Sequence, residues 1–335
     1  MKTTSLKKRI TVSVIAQTAS QLFIGIIGVV IMKIMTSSLG VEGYGIYATA
    51  LAFVSTFSLF ASLGITTITV REISRQPDKA TEIISHNIGL RLALCAVVVP
   101  LISIIGLLVY PRATNDLHLA ILLMSLYLFF DAIWSISTAY FASKVRNDIG
   151  AIITSVYQVI FLLGVISVAL AGFGLFGFVT VYLLSIAFGA AIAFQLVRKH
   201  LPIRPRGNLK IWREIFGMSI AFGMITVIDQ LYFKADSIML SVFTGTAAAG
   251  VYGVAYALVS VFWFIPSYLM GSLIPSIAAT DSRKALERIV RKSFHLLASI
   301  GMFLPVVSYY LSKDVVLIVS NHNFIAAAVP FSILM

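Results

Sequence analysis

The chain reads as an all-α polytopic membrane protein, and three observations carry that reading. Apolar residues make up 59% of the sequence and charged residues 11%, against roughly 45–50% and about 25% in a soluble domain. Apolar runs of about 20 residues or more recur from end to end, each long enough to cross a hydrocarbon core of about 30 Å. Basic residues cluster on alternate connections between those runs, the asymmetry of a multi-pass chain. The runs are continuous rather than alternating, which excludes a transmembrane β-barrel.

Ten apolar segments follow in order: 11–35, 44–68, 86–109, 117–142, 149–171, 176–197, 215–241, 247–270, 293–312 and a last one starting near 324. Lys7, Lys8 and Arg9 precede the first, which runs on to Met35. That is too long for the core of a signal peptide, so a retained helix is expected. The tail and the loops at 69–85, 143–148, 198–214 and 271–292 hold 20 of the 25 basic residues. All five segments are therefore expected on the cytoplasmic side of the cell membrane, with the N-terminus among them. The net charge of +12 is thereby a topology signal and not a nucleic-acid footprint. The single cysteine, Cys95, allows no intrachain disulfide.

A stretch that occurs twice sets the organisation. Between 40–57 and 245–262, at an offset of 205, eight of eighteen positions are identical, among them Gly40/Gly245, Gly45/Gly250, Tyr47/Tyr252 and Phe57/Phe262. The same offset pairs Lys79 with Lys284, Glu82 with Glu287 and Pro100 with Pro305. It spans six helices, an even number, so the copies are parallel repeats, the kind that form substrate sites between halves. The expected parts are a first six-helix bundle over 1–197, a basic cytoplasmic linker over 198–214 and an incomplete second bundle over 215–335. Two full copies would take about 410 residues and twelve spans. The linker's basic residues are expected to face anionic lipid headgroups, with Trp212 at the interface. Small residues at helical spacing (Ala48/Ala52, Ser58/Ser62, Gly250/Ala257) allow close helix approach. The paired prolines suggest matched bends as readily as ordinary packing.

Chemistry is sparse. Gly172, Gly174 and Gly177 fit a dinucleotide-binding pattern by letter only, because no strand precedes them and no acidic residue follows at the required distance. A tight turn between spans is expected there. The five histidines are scattered, with neither metal-ligand spacing nor a catalytic triad. No enzymatic activity, metal or cofactor is implied. The informative residues are charges inside spans, which are costly in hydrocarbon and mark function by default. Arg91, Lys234 and Lys33 are candidates for binding an anionic substrate; Asp131, Asp229 and Asp236 are candidates for charge balance or cation coupling. Arg91, Lys33, Asp229, Lys234 and Asp236 correspond across the repeat to Leu296, Ile238, Ile24, Val29 and Ile31. Shared glycines therefore serve folding, and unshared charges serve something asymmetric.

Leu39-Gly-Val-Glu-Gly-Tyr-Gly-Ile-Tyr47, then Leu63-Gly-Ile65 and Arg71-Glu-Ile-Ser-Arg75, resembles the opening of the polysaccharide-export, or Wzx-type, flippases of the multidrug/oligosaccharidyl-lipid/polysaccharide (MOP) superfamily. Lys234-Ala-Asp-Ser-Ile-Met-Leu240 with Ala249-Gly-Val-Tyr252 is similar to that family's seventh and eighth helices, and Asn323-Phe-Ile-Ala-Ala-Ala328 to the start of its tenth. The resemblance implies two six-helix bundles forming a V around a central cavity. It implies alternating access that carries a polyprenyl-diphosphate-linked oligosaccharide across the cytoplasmic membrane, with polysaccharide assembly enzymes as partners. A cation-coupled multidrug exporter of the same superfamily is the alternative, and a non-transporting membrane scaffold for glycan-synthesis enzymes a second.

Overall fold

A computed structural model describes residues 2–262 and 283–335, with side chains from Ala16 onward except those of Gln230 and 283–285. The end of the eighth span and the first part of the basic loop at 271–292 lie outside the described residues. Helices α1 (Lys2–Ser62), α2 (Ile65–Arg75), α3 (Ala80–Val109), α4 (Asn115–Ser125), α5 (Tyr127–Ser143), α6 (Asn147–Ala171), α7 (Gly174–Arg198), α8 (Leu209–Thr244), α9 (Thr246–Phe262), α10 (Arg283–Val319) and α11 (Ala328–Leu334) account for almost all of them. Among the described residues there is no strand, and seven helical stretches are long and apolar enough to cross a membrane. The chain is an all-α, multi-pass membrane protein.

Helix α1 holds two of the predicted spans, separated at Gly40, whose φ of 65° and ψ of −172° are not helical. The chain doubles back there. Gln21 and Thr66 line one cavity, whereas 45 residues of unbroken helix would put them about 68 Å apart. Gly245, the repeat partner of Gly40, also has positive φ, 96°, and separates α8 from α9. Both sites need a conformation that glycine enters without steric cost. The repeated glycine is thus a repeated break between helices. Its neighbour Gly45 lies against the Thr246 backbone, so closely that a Cβ there would overlap the carbonyl oxygen.

Two compact units divide the described chain, 1–249 and 250–335. In the first, α1 packs on α3, α4, α6, α7 and α8, while α5 packs on α2, α3 and α7. Helix α8, which the repeat assigns to the second bundle, lies along α1, α2 and α3 within this unit. Its contact near Gly64 is backbone on backbone. A Cβ on Gly223 would come within 2.7 Å of the Leu63 carbonyl carbon, and one on Gly64 within 2.9 Å of the Ser219 oxygen. Neither partner has a flexible end that can yield. Gly223→Val is therefore expected to destabilise the unit by about 1–3 kcal/mol, read as a lower melting temperature in detergent. Gly217→Val, on the same helix with nothing within 4 Å of a Cβ, should leave it unchanged.

Residues 69–85 were expected as a loop, and the structure corrects this. Ile65, Ile68, Thr69 and Ile73 form one buried stripe of α2, with Arg71 and Arg75 exposed. Apolar residues at spacings of three and four favour an amphipathic helix. Ile65 and Ile73 join Ile84, Ile88, Ile136, Tyr140, Phe141 and Ile203 in a core at the basic end. The linker is strapped to that end: the Arg206 amide donates to the Ser85 oxygen at 3.0 Å, and Ile203 is buried. Asn208 caps α8 by accepting from the Lys210 and Ile211 amides. All six linker basic residues remain exposed. Trp212 packs against the core with Nε1 covered.

The predicted fourth span is present as one stretch, Asn115–Ser143, in which the single residue Leu126, itself helical in φ and ψ, joins α4 to α5. The expected turn at Gly172–Gly177 is shorter than that: Gly172, which closes α6 at φ 71°, and Phe173 make it, and Gly174–Gly177 already belongs to α7. Pro100 lies within α3 and Pro305 within α10. In the second unit α10 packs on α11 and on the turn His322–Ala327, around Val316, Phe324, Ala328 and Phe331.

Candidate functional site

Arg91 is the centre of a polar cluster inside the first unit. It sits on α3, 1% exposed, and its Nη2 meets Asp131 Oδ2 on α5 at 2.9 Å. Nη1 donates to Ser135 Oγ, and Nε donates to the Ala61 carbonyl at 3.3 Å. Ser135 Oγ in turn donates to the Asp131 carbonyl at 2.7 Å. An arginine buried in apolar surroundings is tolerated only where a counter-charge and several acceptors surround it. Asp131 supplies the charge, and two helices, α1 and α5, supply the oxygens. The carboxylate's side chain is 36% exposed, so the pair is open on the aspartate side alone.

An aromatic ladder continues from Asp131. Tyr127, one turn earlier on α5, meets Tyr182 at 6.0 Å; Tyr182 meets Phe161 at 5.7 Å, and Tyr157 carries the ladder on to Trp134 at 5.3 Å. At the end opposite the basic loops, Glu42, Tyr110, Arg112, Ser241 and Thr246 line a cavity of about 560 Å³. Tyr110 Oη and Ser241 Oγ are 2.6 Å apart, tying the end of α3 to α8. Burial raises the Tyr110 phenol's pKa, so it stays neutral and able to donate.

The structure brings together Arg91 and Asp131 and none of the other predicted residues with them. Lys33 is half-buried on α1, and Lys234 half-buried on α8. Asp236 is exposed and accepts from the Ser237 amide at 2.6 Å. Asp229 is exposed, with no hydrogen bond or ion pair among the described residues. None of these four shares a hydrogen bond or ion pair with the Arg91–Asp131 pair. Reading for charge missed Ser135, and it missed a set of neutral polar residues around Trp134. Ser135 lies four residues after Asp131, on the same helix face, the one signal that pointed to it.

The polysaccharide biosynthesis protein family's model matches residues 10–280. Among solved structures, the chain is similar to a mutant of the Vibrio cholerae MATE transporter VcmN, with 12% identity and a TM-score of 0.54 over 98% of this chain and 85% of that one. It is also similar to a multidrug resistance MATE family transporter of the MOP superfamily in an outward-facing conformation, with 16% identity and a TM-score of 0.52 over 96% and 77%. No curated protein sequence matches. At these identities the structural likeness concerns the fold, and the multi-helix architecture described above is similar to that of these transporters. Over most of its length, then, this chain belongs to the polysaccharide biosynthesis protein family.

Proposed function

We propose that the protein is a flippase that moves a polyprenyl-diphosphate-linked oligosaccharide from the cytoplasmic to the outer leaflet by alternating access. The observation that carries this is the coincidence of a polysaccharide family match over residues 10–280 with a transporter fold. The N-terminus and the basic ends lie in the cytoplasm on this reading, facing anionic headgroups. A diphosphate crossing the bilayer needs cationic partners. On this reading Lys234 and Lys33 fill that role, and Arg91, held by Asp131 and Ser135, joins them when that pair parts. Asp229 and Asp236 balance the added charge.

The exposed Asp229 and Asp236 carboxylates on α8 favour a second reading, a cation-coupled multidrug exporter. Deleting the gene separates the two. The flippase reading expects surface polysaccharide to fall and lipid-linked glycan to accumulate, with recovery when the gene is restored. Unchanged surface glycan with raised sensitivity to cationic drugs would establish the exporter instead.

A further inference from the structure

A cavity of about 300 Å³ opens at the basic end of the first unit, enclosed by residues of α1, α2, α5 and α6. Gln21, Thr66, Trp134, Asn147 and Thr154 are among its lining, and among the described residues no charged side chain is. Four of these hold hydrogen-bonding capacity that the protein leaves open. The Gln21 and Asn147 amides, the Thr66 hydroxyl and the Trp134 Nε1–H have no partner among the described residues, and all four residues are half-buried. Trp134 is firmly seated. It meets Tyr157 edge to face at an interplanar angle of 88°, and a Cβ on Gly189 would come within 2.7 Å of its Cη2 and 2.8 Å of its Cε3. Only glycine at 189 leaves room for the indole.

This lining discriminates between ligand classes. A phosphate or carboxylate would meet no counter-charge among the described lining residues. An apolar tail would leave amide and hydroxyl groups stranded without water or partner, at a desolvation cost for each. A neutral polyhydroxylated molecule suits every group: its hydroxyls both donate and accept, as amides and threonine do, and its C–H face can lie on the indole. The volume is at the low end for small-molecule sites and fits a mono- or disaccharide. Exposed Arg71 and Arg146 adjoin the lining residues Val70 and Asn147. They are paired with Glu72 and Asp148, yet they put arginine at the rim of a neutral chamber. A diphosphate followed by neutral sugars has the same order of charge.

We infer that this cavity is a sugar-recognition subsite, which reads the first sugars of the lipid-linked glycan as it is loaded from the basic end; the inference rests on the flippase reading. The test uses the full chain in nanodiscs with Trp212→Phe and Trp263→Phe, so that Trp134 is the one tryptophan left to report. Three probe sets are titrated against its emission: bare polyprenyl diphosphate, polyprenyl diphosphates carrying neutral glucose, galactose or N-acetylglucosamine mono- and disaccharides, and inorganic diphosphate. At least one sugar-bearing lipid should bind more tightly than the bare lipid and shift Trp134 emission. Gln21→Ala with Asn147→Ala should remove that advantage, about tenfold, and leave bare-lipid binding unchanged. Asn147→Asp, which keeps the side chain's shape, should also weaken the sugar-bearing lipid selectively. If bare and sugar-bearing lipids bind alike, or the variants weaken both equally, the cavity is no sugar site and the flippase reading stands. If neither lipid binds, the flippase reading itself fails and the subsite falls with it.

Discussion

Arg91→Ala is expected to destabilise the first unit by about 3 kcal/mol, the low end of the roughly 3–5 kcal/mol range for breaking a buried ion pair. The low end applies because Asp131 keeps 36% exposure and can recruit water, while Arg91 itself is 1% exposed. The loss is read as a lower melting temperature and lower yield in the membrane. Asp131→Asn should cost a similar amount, because it leaves the guanidinium buried with neutral acceptors only. The informative variant is the double one. Arg91→Met with Asp131→Leu removes both charges and fills the space, and such replacements are often neutral or stabilising. Recovery of the melting temperature without recovery of glycan export would show that the pair serves transport. Recovery of both would reduce it to scaffolding.

Lys234→Ala is expected to lower glycan export by at least about tenfold, since one charge-assisted hydrogen bond to phosphate is worth about 1.5–3 kcal/mol. The folded unit should persist, because Lys234 is only half-buried on α8 and no buried pair is broken in the Arg91 cluster. Lys234→Arg should keep much of the export, and Lys234→Met should behave like alanine, which separates charge from packing. Export unchanged in Lys234→Ala, with membrane levels equal to the parent, would remove this residue from the substrate path.

The helices were legible because a membrane demands long apolar runs, and the turns at Gly40 and Gly245 because glycine enters their backbone region without steric cost. Gly40 and Gly245 stood out in the repeat, and the structure shows both at positive φ between helices. Helix α2 was not legible as a helix. Its stripe of Ile65, Ile68, Thr69 and Ile73 is interrupted by arginines, so it read as the end of a span and a basic loop. The site was half legible. Arg91 and Asp131 each stood out as a buried charge, but they lie forty residues apart, and spacing cannot show that separate helices bring them together. Gln21, Trp134 and Asn147 escaped notice because uncharged polar residues are common in membrane helices. What sets them apart is their lack of partners, a property of three-dimensional structure.

Lipid-linked glycan transport by the full-length protein in phosphatidylethanolamine–phosphatidylglycerol liposomes tests the central claim most directly. A fluorescent polyprenyl-diphosphate-linked oligosaccharide is placed in both leaflets, and the fraction open to a membrane-impermeant quencher is followed over time. The flippase account predicts that the protected inner-leaflet pool becomes accessible in the presence of the protein and stays protected in empty liposomes. It also predicts that Lys234→Ala slows the exchange by at least about tenfold. Protection that persists with the wild-type protein, while the same liposomes transport a cationic dye, would contradict it.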